Sequence, residues 1–268
     1  MANVHVETKG RVALVTLDRP PVNALDYATF TELAETFESL GRTREFSAAV
    51  LTAPGERLFC GGVDLKDSPR RYRTDGRFAD DGPQGDPSDQ IDPGRVVRRC
   101  FWSIYDCAVP VIAAVNGTTI GAGVALVGSC DLVVCSENAR FSLREITVGV
   151  LGGVKHAQRL VGPFMAKRMF LTGDEITGHD LYRVGTAEAV VAPAELVPTA
   201  LALAERIAAN SPIAVRLAKE SANRVEALEL HDGYRMEQDY TIRVGRYADA
   251  AEARTAFFEK RPPAFQWE

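Results

Sequence analysis

The chain reads as an α/β core followed by a helical C-terminal region, and three observations carry that reading. Short apolar runs rich in β-branched residues alternate with stretches of helical apolar spacing through the first two thirds of the 268 residues. From Pro193 onward the apolar spacing is helical almost throughout. Between these parts lies VPVIAAVNGTTIGAGVALVGSCD (109–131), a buried-strand pattern that runs through a glycine-rich turn into a small-residue helix. The expected organisation is a core over 1–192 and a helical region over 193–268.

Taken in order, 4–7 and 11–17 flank Thr8-Lys9-Gly10 and read as a hairpin. Asp18-Arg19-Pro20-Pro21 stops the second strand. A helix follows over 27–41, with Phe30, Leu33, Ala34, Phe37 and Leu40 on one face and Asp26 as its N-cap. Residues 47–52 form the next strand, and RLFCGGVDL (57–65) repeats the motif of short strand, double glycine and acid. Residues 68–94 are dense in Pro, Gly, Asp and Arg and read either as a lid or as a solvated excursion. A helix over 95–107, with Val96, Cys100, Trp102, Ile104 and Cys107 on its apolar side, leads back to the strand at 109–115.

Asn116-Gly117 ends that strand, and a helix is expected to begin near Ala122. Strand 132–135, the segment ARFSLREI (139–146), a glycine-punctuated loop over 148–153, and helices over 156–161 and 164–171 come next. The last strand is read at 187–191. Helices over 194–210, 212–228, 229–245 and 248–260 complete the chain.

A net charge of −5 argues against a nucleic acid or anionic membrane surface as the dominant partner, because both demand a concentrated basic surface. No apolar run approaches the ~18 residues of a membrane span, and the first residues lack the layout of a signal peptide. Cys60, Cys100, Cys107, Cys130 and Cys135 are an odd set without C-x-x-C spacing, which points to a reducing cytoplasm and no metal cluster. The signatures of P-loop nucleotide binding, zinc peptidases, α/β-hydrolases and dinucleotide binding are all missing.

The chemistry therefore has to be sought in the glycine turn and in single residues. Small residues at the start of a helix let a ligand approach the backbone, and the free N–H groups there suit a developing negative charge. The same glycines also fit a connection that serves only packing. Glu145 lies between Phe141 and the apolar run after it, a setting that raises a carboxyl pKa on burial. Cys60 reads as a buried small hydrophobe or as a reactive thiol, and His156 as a packing residue at a helix start or as a group of the site.

Together, FCGGVDL, VPVIAAVNG with its turn, ARFSLREITVG followed by QRLVG, and AFFEKRPPAF resemble the crotonase (enoyl-CoA hydratase/isomerase) superfamily over essentially the whole chain. The resemblance implies a crotonase-like spiral of ββα turns with a C-terminal helical trimerisation region, assembled as a homotrimer or a dimer of trimers. It implies an acyl-CoA thioester substrate, with CoA as part of the substrate and no separate cofactor. It places an oxyanion hole on the N–H groups of Gly61 and Ala122, and a CoA channel along Asp64, Leu65 and Lys66. Phe258, Lys260 and Arg261 match a stretch that reaches the CoA of a neighbouring subunit.

Two glutamates serve the hydratases of this family. The second falls on Glu145, preceded by Arg144 where proline is usual, and the first falls on Ala125, which transfers no proton. Gly153 matches the backbone position that helps hold the substrate water. Lys155 and His156 replace glycines found in many hydratases. The expected activity is hydration, dehydration or isomerisation of a 2-enoyl-CoA with a single glutamate. The alternatives are hydrolytic C–C ring opening of a cyclic β-ketoacyl-CoA and a non-catalytic acyl-CoA scaffold. Several segments, the GVLGGVKH loop among them, resemble actinobacterial crotonase-type hydrolases that open a late steroid-ring CoA intermediate, which gives His156 a candidate role near the acyl group.

Overall fold

The computed structural model describes residues 2–64, 91–92 and 94–268, so most of the expected lid segment, with Leu65 and Lys66 beside it, lies outside the described residues. Strands β1 (Val4–Lys9) and β2 (Val12–Leu17) form the expected hairpin, turned at Gly10 with a positive φ of 59°. Helix α1 (Tyr27–Arg42) starts where Asp26 accepts the Thr29 N–H, and its five expected apolar positions are buried.

From there the chain climbs in repeating turns, each placing one strand in a large sheet and the next in a small one. The pairs are β3 (Ala48–Thr52) with β4 (Leu58–Cys60), β5 (Val111–Val115) with β6 (Thr118–Ile120), and β7 (Leu132–Ser136) with β8 (Arg140–Ser142). Later strands β9 (Ile176–Thr177) and β10 (Ala187–Val191) extend the two sheets. Among the described residues the large sheet runs β1-β2-β3-β5-β7-β10 and the small one β4-β6-β8-β9. Helices α2 (Arg95–Tyr105) and α3 (Ala122–Ser129) lead from the small sheet back to the large one, whereas α4 (Val154–Thr172) runs between β8 and β9 of the small sheet. This is the expected α/β spiral of ββα turns.

The corners between paired strands are stitched together. The Asn116 side-chain amide donates to the carbonyls of Gly55 and Leu58 in the corner below, at 2.9 and 3.1 Å. Ser136 Oγ, from the corner above, donates to the Asn116 carbonyl at 2.9 Å. Gly117 cannot carry a side chain, because a Cβ would stand 2.2 Å from the Arg57 carbonyl carbon. The sequence reading took 116–121 as one turn. It contains β6, too short for its alternation to register, and β9 went unread for the same reason.

Both faces of the large sheet are covered, which explains its near-continuous apolar strands. One face carries Val15, Leu51, Ala113 and Val133 against α1, α2 and α3. The other carries Val12, Val50, Ile112 and Val134 against α6 (Leu196–Ala208), which follows the short α5 (Gly178–Arg183). In α2 the buried aromatic is Phe101, and the expected Trp102 is 58% exposed. One residue turns the helix by about 100°, so Phe101 keeps phase with Val97 and Ile104 while Trp102 does not. Helix α4 bends at Gly162-Pro163, where the expected break fell.

Helix α7 (Pro212–Val225) is docked by charge. Buried Lys219 pairs with Asp131 at 2.7 Å and donates to the carbonyls of Ile104 and Val109. Asp131 also accepts the Val111 N–H, so one carboxylate ties α7 to the start of β5. Helices α8 (Leu230–Val244) and α9 (Ala248–Glu259) follow. No helix of the described residues is long and apolar enough to cross a membrane. Replacing Lys219 by Met is expected to cost about 3–5 kcal/mol, because it leaves the Asp131 carboxylate buried without its partner. A shift in urea midpoint of less than the equivalent of ~1 kcal/mol would show that the pair is dispensable.

Candidate active site

The site is built where the 60–63 segment crosses the start of α3. The two backbones touch: a Cβ on Gly123 would stand 2.8 Å from Cys60 Cβ, and one on Gly62 would stand 3.1 Å from the Ile120 carbonyl oxygen. At the first turn of α3 the N–H groups of Ala122, Gly123 and Val124 precede the first intrahelical bond, which Ala125 makes to the Gly121 carbonyl. The expected donor at Ala122 therefore stands at a helix N-terminus with its N–H uncommitted.

Gly61 is different, and the expectation that it donates to an oxyanion is corrected. Its N–H is spent on the Val22 carbonyl at 2.9 Å. Two residues on, Val63 forms a parallel bridge with Leu25, in which Leu25 donates to the Gly62 carbonyl and Asp64 donates to the Leu25 carbonyl. In an extended chain the residue between two such bonds turns its own N–H to the opposite side. Val63 thus presents its N–H on the flank where Gly62 meets Ile120 and Ala122. Gly61 contributes backbone to the cavity wall instead.

Glu145 sits in a 3-10 turn (Arg144–Val148) closed by Gly149 in the left-handed region. Its carboxylate occupies the space that a side chain at 121 would fill: a Cβ on Gly121 would stand 1.6 Å from Glu145 Oε1. Oε2 is buried and has no hydrogen-bond partner among the described residues. Burial raises the Glu145 pKa above the ordinary carboxylate range, opposed only by its own backbone N–H. Arg144 turns outward and pairs with Glu175 at 2.8 Å.

These groups share one cavity of about 550 Å³, lined by Gly61, Val63, Ala122, Ala125, Glu145, Gly153 and His156 together with apolar residues that include Val97, Phe101 and Leu151. Gly153, with φ 76°, packs on the Gly121 carbonyl and starts α4. His156, on the first turn of α4, lies with its ring 5.1 Å from that of Phe101. Burial and the nearby Arg159 hold its pKa below the usual imidazole range. Cys60 is fully buried and its thiol is pushed up to about 12, so the packing reading of this residue holds.

Of the expected CoA-contacting residues, Leu65 and Lys66 lie outside the described residues, and Asp64, Phe258, Lys260 and Arg261 do not line this cavity. The Asp64 carboxylate accepts from Arg19 at 3.0 Å, and Arg19 also pairs with Asp26, which ties the 60–64 segment to the start of α1. Phe258 is 80% exposed, Lys260 caps α9 in the left-handed conformation, and Arg261 pairs with Glu252 and Glu259.

Comparison with known proteins matches residues 7–268 to the family model described as enoyl-CoA hydratase/isomerase. The chain belongs to the enoyl-CoA hydratase/isomerase family. It is 37% identical, over 93% of its length and 95% of the relative's, to a "(7aS)-7a-methyl-1,5-dioxo-2,3,5,6,7,7a-hexahydro-1H-indene-carboxyl-CoA hydrolase" from Mycobacterium tuberculosis. It is 33% identical, over 98% of both chains, to a carnitinyl-CoA dehydratase from Proteus mirabilis. The crystal structure of an enoyl-CoA hydratase from Bacillus anthracis superposes with a TM-score of 0.87 at 30% identity, covering 100% of both chains. Family membership bears out the crotonase-type fold and makes this an acyl-CoA enzyme family member.

Because folding raises the Glu145 pKa, the native state holds a proton that the unfolded chain has already released. Stability is therefore lost as pH rises through the window from the ordinary glutamate value of about 4.3 upward. Glu145→Gln is expected to raise the melting temperature at pH 7, with the gain shrinking below about pH 4. A gain independent of pH would show that the carboxylate is not the strained group.

Proposed function

We propose that this enzyme binds an acyl-CoA thioester with the thioester oxygen between the N–H groups of Val63 and Ala122, and that Glu145 moves the protons. One observation carries the reading: an unpartnered, buried Glu145 oxygen shares a cavity with two uncommitted backbone donors. Such donors, fixed before reaction, stabilise charge as it develops on the thioester oxygen, and the helix dipole at Ala122 adds to them.

Hydration of a 2-enoyl-CoA follows directly. Glu145 takes a proton from a water positioned near the Gly153 N–H as the water oxygen bonds to the β-carbon. The π electrons move onto the thioester oxygen as an enolate, and Glu145 returns the proton to the α-carbon. One water has been added, and the reverse is dehydration, so the enzyme is assigned as a lyase. Ala125 is buried in the cavity wall and bears no proton, which leaves Glu145 to serve both as base and as acid.

The same Ala125 favours a second reading, hydrolytic C–C ring opening of a cyclic β-ketoacyl-CoA; the Mycobacterium tuberculosis relative is named as a hydrolase of a dioxo-hexahydroindene carboxyl-CoA. Water activated by Glu145 adds to the ring ketone. The bond between that carbon and the α-carbon breaks, its electrons pass into the thioester enolate, and Glu145 protonates the α-carbon. The product carries a new carboxylic acid. This route needs a single base and the same oxyanion hole.

CoA is part of the substrate, with no further cofactor. Leu65, Lys66 and the 60–64 backbone are assigned to its channel, and Phe258, Lys260 and Arg261 to the CoA of a neighbouring subunit. The exposed Leu230, Ile242, Phe257 and Phe258 support an oligomerising role for 193–268, in a homotrimer or a dimer of trimers. Five buried free thiols support a cytoplasmic location.

The test is turnover of a short 2-enoyl-CoA, followed by loss of enoyl absorbance, beside a cyclic β-ketoacyl-CoA, followed by carboxylate release. Glu145→Gln is expected to lower kcat on the true substrate by roughly 10²–10⁴-fold. Wild-type kcat should fall on acidification with an apparent pKa above that of a free glutamate. Unchanged turnover in Glu145→Gln would reject the mechanism, and binding of CoA thioesters without turnover of either would identify a scaffold.

A further inference from the structure

Among the polar side chains that line the cavity, His156 is one for which the chemistry above has no use. It is partly buried and makes no side-chain hydrogen bond among the described residues. Its ring has close neighbours. One flank lies against Phe101, which is itself set edge-on to Phe30 with centroids 6.0 Å apart. Behind it the backbone of α4 is pressed onto α3, where a Cβ on Gly128 would stand 2.7 Å from His156 Cβ. Against a hydrocarbon ligand an apolar wall would be the cheaper construction, since a polar group sealed in without a partner costs about 1–3 kcal/mol.

Position along α3 says what His156 faces. The oxyanion donor Ala122 opens the helix and Gly128, against which His156 packs, lies near its end. Six residues at 1.5 Å each separate them by roughly 9 Å. Ala125 lies between, on the cavity wall, and keeps the path open. An acyl group held by its thioester oxygen at Ala122 therefore runs past Ala125 toward His156. Val97, Phe101, Val150 and Leu151 add apolar wall to the same cavity, while Arg144 in its lining is paired with Glu175 and Thr147 donates to the Arg144 carbonyl.

Building on the acyl-CoA reading, we propose that His156 is a specificity-determining residue that hydrogen-bonds an oxygen substituent of the acyl group remote from the thioester, so that the substrate class is an oxo- or hydroxy-bearing acyl-CoA rather than a plain hydrocarbon one. The ring is neutral near neutrality, which leaves one N–H to donate and one nitrogen to accept. It matches a ketone through the donor and a hydroxyl through either nitrogen. A purely hydrocarbon acyl group would strip water from the imidazole and return nothing, which is the physical basis of the discrimination.

Binding, without turnover, tests this. In the Glu145→Gln background, dissociation constants are measured by calorimetry for cyclohexanecarbonyl-CoA and for its 3-oxo and 4-oxo derivatives. At least one oxo compound is expected to bind roughly 10-fold tighter than the unsubstituted thioester. His156→Leu should bring that ratio to about one, and His156→Gln, which keeps a donor and an acceptor, should restore part of it, with circular dichroism confirming the fold of each variant. Equal binding of all three thioesters, or a preference that survives His156→Leu, overturns the proposal while leaving the acyl-CoA reading in place. If none of the thioesters binds, the acyl-CoA reading fails and the proposal falls with it.

Discussion

Space at Gly121 is the constraint on which the site depends. A carboxylate oxygen of Glu145 stands inside the volume that any side chain at 121 would claim. The same residue, with φ 52° and ψ −108°, bends β6 into α3 in a backbone conformation that strongly favours glycine. One residue thus starts α3 at Ala122 and lets the Glu145 carboxylate come up against that turn. Gly62 and Gly123 extend the arrangement by letting the 60–63 segment approach the same turn. The backbones come close enough to bring a second donor, Val63, alongside the first.

Two buried carboxylates show how the fold separates structure from chemistry. Burial raises the pKa of both Asp131 and Glu145. Asp131 receives the Lys219 ammonium and the Val111 N–H, which offset that burial and lock α7 to the core. Glu145 receives only its own backbone N–H, and one of its oxygens stays bare. A carboxylate left unsatisfied at a cavity wall is set for proton transfer, whereas a paired one is set for docking. Arg19 makes a comparable distinction for Asp64, whose carboxylate serves to hold the 60–64 segment rather than to face the cavity.

Much of the fold could be read from the chain because its signals were local. Asp26 as N-cap, the five buried positions of α1, the hairpin at Gly10 and the break at Gly162 each follow from spacing and residue type. The strands β6 and β9 were missed because two or three residues cannot establish a period. Trp102 was misplaced because helical phase, and not hydrophobicity alone, decides which residue turns inward. At the site, Glu145, Ala122, Gly153 and His156 were all named in advance and meet in one cavity. Gly61 was named as a donor where Val63 is the residue with an uncommitted N–H.

That last difference marks the boundary between the two kinds of information. Residue type and order alone determined the α/β class, the family resemblance, the presence of one ionisable carboxyl at 145 and its lack at 125. They also marked the glycines at which backbones approach closely. Only the tertiary structure decided which N–H groups stay uncommitted, because a hydrogen bond is spent or spared by a partner distant in sequence: Val22 for Gly61, and Leu25 for the residues either side of Val63. It likewise decided that Cys60 is sealed in the core and that His156 lines the cavity. Burial and pairing belong to surroundings assembled from many separate segments, and no single stretch of chain encodes them.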